Sequence, residues 1–142
     1  MCYQCFMKKY EILEHKADLR IKVFGETKEE LFSNALFGMT ESQKPEIKKP
    51  EEKNQRLIKI KSLDLSSLLV DFLSEVLYLS EVNQEVYNNI QFKKFTNKNI
   101  EGTLSGNKLK KIGVIVKGVT YHDLDIHQKK DKTWEATVLF DI

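Results

Sequence analysis

Residues 63–83 read LDLSSLLVDFLSEVLYLSEVN, with Leu65, Leu68, Leu69, Phe72, Leu73, Val76 and Leu77 recurring at spacings of three and four. That period predicts a helix of about five turns with a broad apolar stripe. A stripe this wide needs a second layer to cover it. Asp71 and Glu75 fall one turn apart on its polar side and read as a solvated face.

The covering layer is written in shorter patterns. Leu19, Ile21 and Val23 alternate with Arg20, Lys22 and Phe24, the period of a half-buried strand. Strands are predicted at residues 9–13, 18–24, 56–61, 86–95, 99–105, 113–117, 121–127 and 133–140. The segments SGNK and KKDKT supply turn chemistry between some of them. Gly25 ends the second strand. Thr27 with Glu30 three residues later forms a capping box, opening a first helix whose buried face is Leu31, Phe32, Ala35, Leu36 and Met39. Residues 40–54, TESQKPEIKKPEEKN, hold both prolines and read as a polar loop. The expectation is a single α+β domain over residues 9–142, two helices packed on a largely antiparallel β-sheet, after a flexible tail at residues 1–8.

Composition narrows the function. The chain has 142 residues, 41% hydrophobic and 31% charged, as expected of one globular domain. No apolar run approaches the roughly 20 residues of a membrane span. The first residues, MCYQCFMKKY, lack a secretory pattern, so the expected location is the cytoplasm. Net charge is +2, and of 23 basic residues only Arg20 and Arg56 are arginine. Arginine's planar fork is the usual reader of bases and phosphates, so its scarcity argues against sequence reading of DNA or RNA. Cys2 and Cys5 form one C-x-x-C with no second pair, too few ligands for structural zinc.

Chemistry has few places to sit. There is no G-x-S-x-G elbow, phosphate-cradling glycine loop or H-E-x-x-H. His15, His122 and His127 are the whole imidazole supply. His122 shares the apolar parity of Leu124 and Ile126, which predicts a partly buried, hydrogen-bonded ring. In the last strand Trp134, Ala136, Val138 and Phe140 share one face, while Asp141 lies on the other with Glu135 and Thr137. The sequence stops at Ile142, so a terminal carboxylate is expected beside that of Asp141. Two anions this close repel unless a cation compensates them, and hard divalent cations suit carboxylate oxygens.

Four ordered blocks, LEHKADLRIKVFG, LLVDFLSEVLYL, VKGVTYHDLDI and ATVLFDI, together resemble the archease family from Tyr10 to Ile142. The resemblance implies a small α+β protein that assists RtcB-type RNA ligases in tRNA splicing. It promotes metal-dependent guanylylation and turnover of the ligase, broadens the nucleotide the ligase accepts, and performs no catalysis itself. It also implies a metal site at Asp18, Asp141 and Ile142, the last through its main-chain oxygen. The ion would be Ca²⁺ first, with Mg²⁺ and Mn²⁺ as alternatives. His15, Lys117 and His122 would contact the partner or order the site. Lys16 stands where the family has threonine, placing a positive charge near the proposed metal. The expected partner is the ligase, with tRNA halves reached only through it, and with neither membrane nor DNA. The alternative is a stand-alone metal-dependent hydrolase using Asp18 and Asp141.

Overall fold

Two carboxyl- and hydroxyl-bearing residues start the helices. Thr27 Oγ1 accepts from the Glu30 main-chain N–H while Glu30 Oε1 accepts from that of Glu26, closing the predicted capping box ahead of α1 (Lys28–Ser42). Asp64 Oδ1 accepts from Ser67 N at the start of α2 (Leu65–Asn83). That hydrogen bond holds the Asp64 carboxyl below its usual range. Gln84, in the left-handed region at φ 53°, stops α2. This computed structural model describes residues 8–14 and 18–142. Of the predicted tail, residues 1–7, including both cysteines, lie outside the described residues.

Eight strands complete the chain: β1 (Tyr10–Glu14), β2 (Asp18–Gly25), β3 (Pro45–Ile47), β4 (Asn54–Lys61), β5 (Glu85–Phe95), β6 (Asn99–Ile112), β7 (Gly118–Gln128) and β8 (Trp134–Asp141). They divide between two antiparallel sheets rather than one. The first has the order β1-β2-β8-β7; in the second β6 is central and pairs with β3, β4 and β5. Helix α1 packs on β2 and β5, and α2 on β7, β5 and β4, so each helix joins both sheets. A single core results. Phe32, Leu36, Phe72 and Leu73 from the helices meet Ile21, Val138, Phe140, Ile100 and Leu104 from the strands. Phe32 stacks on Phe72 at 5.8 Å and meets Phe95 edge-on at 5.0 Å.

Three predicted boundaries are corrected. SGNK is not a turn: β6 runs straight through it to Ile112. A Cβ on Gly106 would lie 1.9 Å from the Val86 carbonyl oxygen, so this glycine allows β5 to approach closely. Residues 113–117 form an irregular connector, and the next strand begins at Gly118. Gln43 holds that connector through bonds to the main-chain N–H groups of Gly113, Val114 and Val116. The polar loop at 40–54 is shortened by the end of α1 and contains β3.

Candidate metal centre

The core fixes where the two aspartates meet. Opposite residues of β2 and β8 pair on the inner face as Leu19 with Phe140, Ile21 with Val138 and Val23 with Ala136. Those inward residues leave Asp18 directly across from Asp141 on the outer face, at the end of the ladder. Side chains so opposed have Cβ atoms about 5 Å apart. On the other side of β8, Asp141 pairs with Gly118, which brings no side chain to crowd the carboxylates. The Asp141 carbonyl oxygen accepts from Lys117 N at 2.7 Å, pinning the last pair of β8 to the start of β7. Asp141 is exposed, Asp18 is partly buried, and one oxygen of its carboxylate is covered.

Of the residues singled out in the sequence, the structure therefore groups Asp18, Asp141 and the main chain of Lys117, with Ile142 next in line and 41% exposed. His15 lies outside the described residues. His122 corrects the expectation: it is exposed, not partly buried. The pairing of β7 with β8 breaks between Thr120 and Asp125, a bulge in which Asp123 takes φ 56°, so alternation no longer assigns the faces. The His122 ring lies 3.4 Å from Asp123 Oδ2, and Asp123 also receives Arg20 NH2 at 3.0 Å.

The donors are oxygens: two carboxylates and the neighbouring main chain. Among the described residues no group of three His, Cys, Asp or Glu side chains has metal-binding geometry. An oxygen-only set open to solvent fits a hard divalent cation whose remaining positions are filled by water or by a partner. It does not fit the nitrogen and sulfur preferences of zinc.

Beside this pair runs a groove of about 700 Å³, lined by Leu77, Tyr78, Leu109, Ile115 and Lys117 among others. Lys117 and Gly118 belong both to this groove and to the strand start that holds Asp141. At the end of α2 lies a feature the sequence did not disclose. The fully buried Glu85 carboxylate receives two bonds from Arg56, each 2.9 Å, and one from Tyr87 Oη at 2.7 Å. The Arg56 bonds hold the Glu85 carboxyl below its usual range, and burial pushes the Tyr87 phenol up to about 12. Ser80 Oγ donates to the Glu85 carbonyl and Lys108 Nζ to that of Asn83, so the network ties the end of α2 to β4, β5 and β6.

Two helices laid across a pair of antiparallel sheets, with two aspartates opposed at the end of one ladder, define a small α+β protein. The model of the Archease protein family (MTH1598/TM1083) matches residues 10–142. Protein archease of Methanosarcina barkeri is 36% identical over 95% of this chain and 97% of its own. That of Thermococcus kodakarensis is 32% identical over 96% of this chain and its entire length. The chain belongs to the archease family. Among solved structures, protein 1598 of Methanobacterium thermoautotrophicum superposes with a TM-score of 0.66 at 26% identity, covering 96% of this chain and all of that one. An archease of Thermotoga maritima, described as a possible chaperone, superposes with a TM-score of 0.67 at 21% identity, covering 92% and 94%. No helix among the described residues is long and apolar enough to cross a membrane.

Proposed function

We propose that this protein is a non-enzymatic activator of an RtcB-type RNA ligase in tRNA splicing, acting in the cytoplasm to promote metal-dependent guanylylation and turnover of the ligase and to widen its nucleotide choice. The observation that carries this reading is the register of β2 and β8, which sets Asp18 opposite Asp141 in a chain of the archease family. The two carboxylates hold a divalent cation, Ca²⁺ first and Mg²⁺ or Mn²⁺ otherwise, with the Ile142 main-chain oxygen as a further ligand. When bound, the cation stabilises negative charge on a phosphoryl group. The chain's own residues do the positioning. Lys117 N–H fixes the Asp141 carbonyl, Gly118 keeps the approach open, and Lys117, His122 and His15 contact the partner or order the site. The ligase brings the tRNA halves to the complex.

Stand-alone hydrolysis at the same pair would require a general base within reach of a cation-bound water. The candidate ring, His122, lies in the β7 bulge, beyond the pairs that set Gly118 against Asp141 and Thr120 against Leu139, which favours the activator reading. The test is guanylylation of an RtcB-type ligase, followed with labelled GTP and Mn²⁺ as the added metal, with wild-type protein and with Asp18→Ala and Asp141→Ala. Wild-type protein should raise the rate at least tenfold, and each variant should fold but stimulate less than twofold. Full stimulation by Asp141→Ala would overturn the reading.

A further inference from the structure

The second sheet has an outer face with no helix on it. Across β4, β6 and β5 the register sets Gln55, Ser105 and Asn89 in one row and Leu57, Thr103 and Gln91 in the next; Lys59, Glu101 and Lys94 follow, then Lys61 beside Asn99. Their neighbours in sequence, Ile58, Ile60, Ile90, Ile100 and Leu104, are buried on the opposite face under the helices. Lys59, Lys61 and Lys94 are exposed, as are Lys93 in the β5 bulge and Lys98 in the turn to β6. Among the described residues none of these five ammonium groups has an acidic partner within 4.0 Å, although Glu101 lies in the row between Lys59 and Lys94. In the paired rows three ammoniums stand against the one carboxylate of Glu101, with Lys93 and Lys98 beside them, while Asp71 and Glu75 of α2 line a shallow groove with Lys59 and Lys61 at the β4 edge.

We propose that this face binds single-stranded RNA through its phosphates. Strands about 4.8 Å apart, and same-face residues about 6.7 Å apart along each strand, spread the lysines over an area that one extended strand can cross. Asn89, Gln91, Thr103 and Ser105 lie between the charges, where they can bond sugar hydroxyls and base edges without a fixed sequence. The face offers no aromatic platform and no arginine fork, so recognition is electrostatic and independent of sequence. Choosing RNA among polyanions rests on the proposed role beside an RNA ligase; the cationic face stands without it. Lysines on an edge strand also deter sheet-to-sheet pairing, and that explanation alone predicts no binding.

The experiment is fluorescence anisotropy of a labelled 15-nucleotide oligo-U with the protein alone, from 25 to 200 mM KCl. About four phosphate contacts give a slope of log K against log [salt] near −3, at affinities of about 10⁻⁴ to 10⁻⁶ M. The double variant Lys59→Glu/Lys94→Glu should lose at least tenfold in affinity at 50 mM salt and about half of the slope. The charge-matched control Lys129→Glu/Lys130→Glu, on the β7–β8 turn, should bind within twofold of wild type. Absent binding, or equal losses in the two variants, overturns the proposal. Equal affinity for oligo-dT overturns the choice of RNA. No ligase is present, so failure here leaves the activator reading standing, and failure of guanylylation leaves RNA binding standing.

Discussion

Asp141→Asn should stabilise the cation-free protein while removing its response to cations. Asp18 and Asp141 are directly opposed across the β2–β8 ladder, where like charges repel. With carboxylates about 5 Å apart, their repulsion is about 0.8 kcal/mol at the dielectric of water and about 3 kcal/mol at an effective value of 20. Asp141 is exposed, so the watery limit governs and the expected gain is about 1 kcal/mol. For a domain of this size that raises Tm by about 3 °C. Bound cation reverses the order. At a concentration one hundred times its Kd, an ion gives the wild-type protein about 2.7 kcal/mol, or roughly 8 °C, and gives the variant little. The assay is differential scanning calorimetry of both proteins in EDTA and then with Ca²⁺, Mg²⁺ or Mn²⁺ at several concentrations. A variant that melts with wild type or below it in EDTA would refute the opposed-charge argument. A wild-type Tm unmoved by all three ions at 10 mM would refute the metal centre.

Arg56→Ala leaves the fully buried Glu85 carboxylate without its main partner, a loss of about 3 kcal/mol, whereas Glu85→Gln keeps an acceptor for Tyr87 and costs less; urea unfolding that reverses this order would contradict the network's role. Because the folded-state carboxyl of Glu85 titrates below its ordinary value of 4.5, its contribution to stability is present above pH 4.5 and is lost as pH falls through the lower folded value. Urea midpoints from pH 7 to 3 should therefore fall more steeply for wild type than for Glu85→Gln. Gly106→Ala, with its Cβ 1.9 Å from the Val86 carbonyl oxygen, should unfold the β5–β6 pair or cost several kcal/mol, while Gly118→Ala, with nothing within 4 Å, should change stability by less than about 0.5 kcal/mol; circular dichroism melts of the two would decide.

The helices were legible because their signals are local. Thr27 and Asp64 cap within three residues, and the apolar spacing of α2 needs no knowledge of what covers it. The errors fell where a residue type has two physical uses. A glycine reads as a turn from sequence alone, yet Gly106 serves a close strand crossing. The alternation that placed His122 inside assumed an unbroken ladder, and the β7 bulge removed that assumption. Pairings between distant segments, such as Arg56 with Glu85, leave no local trace.

The aspartate pair belongs to that last kind, and its placement follows from the core. A strand's faces alternate strictly, so slipping β2 by one residue against β8 would expose Ile21 and Val23 and carry Asp18 to the buried side. The inner pairs, Ile21 with Val138 and Val23 with Ala136, are completely buried; exposing two such aliphatic side chains would cost about 3–6 kcal/mol. Repulsion between the two carboxylates, about 1 kcal/mol, is too small to force that slip. The same apolar contacts that close the core therefore hold the two carboxylates opposite each other at the end of the ladder, where the proposed cation would sit. On that argument, weakening an inner pair should loosen the site without touching a ligand. Val138→Ala, which retains the face pattern but removes packing at 0% exposure, should lower cation affinity along with stability, whereas Thr137→Ala, on the outer face beside Lys22, should leave both nearly unchanged.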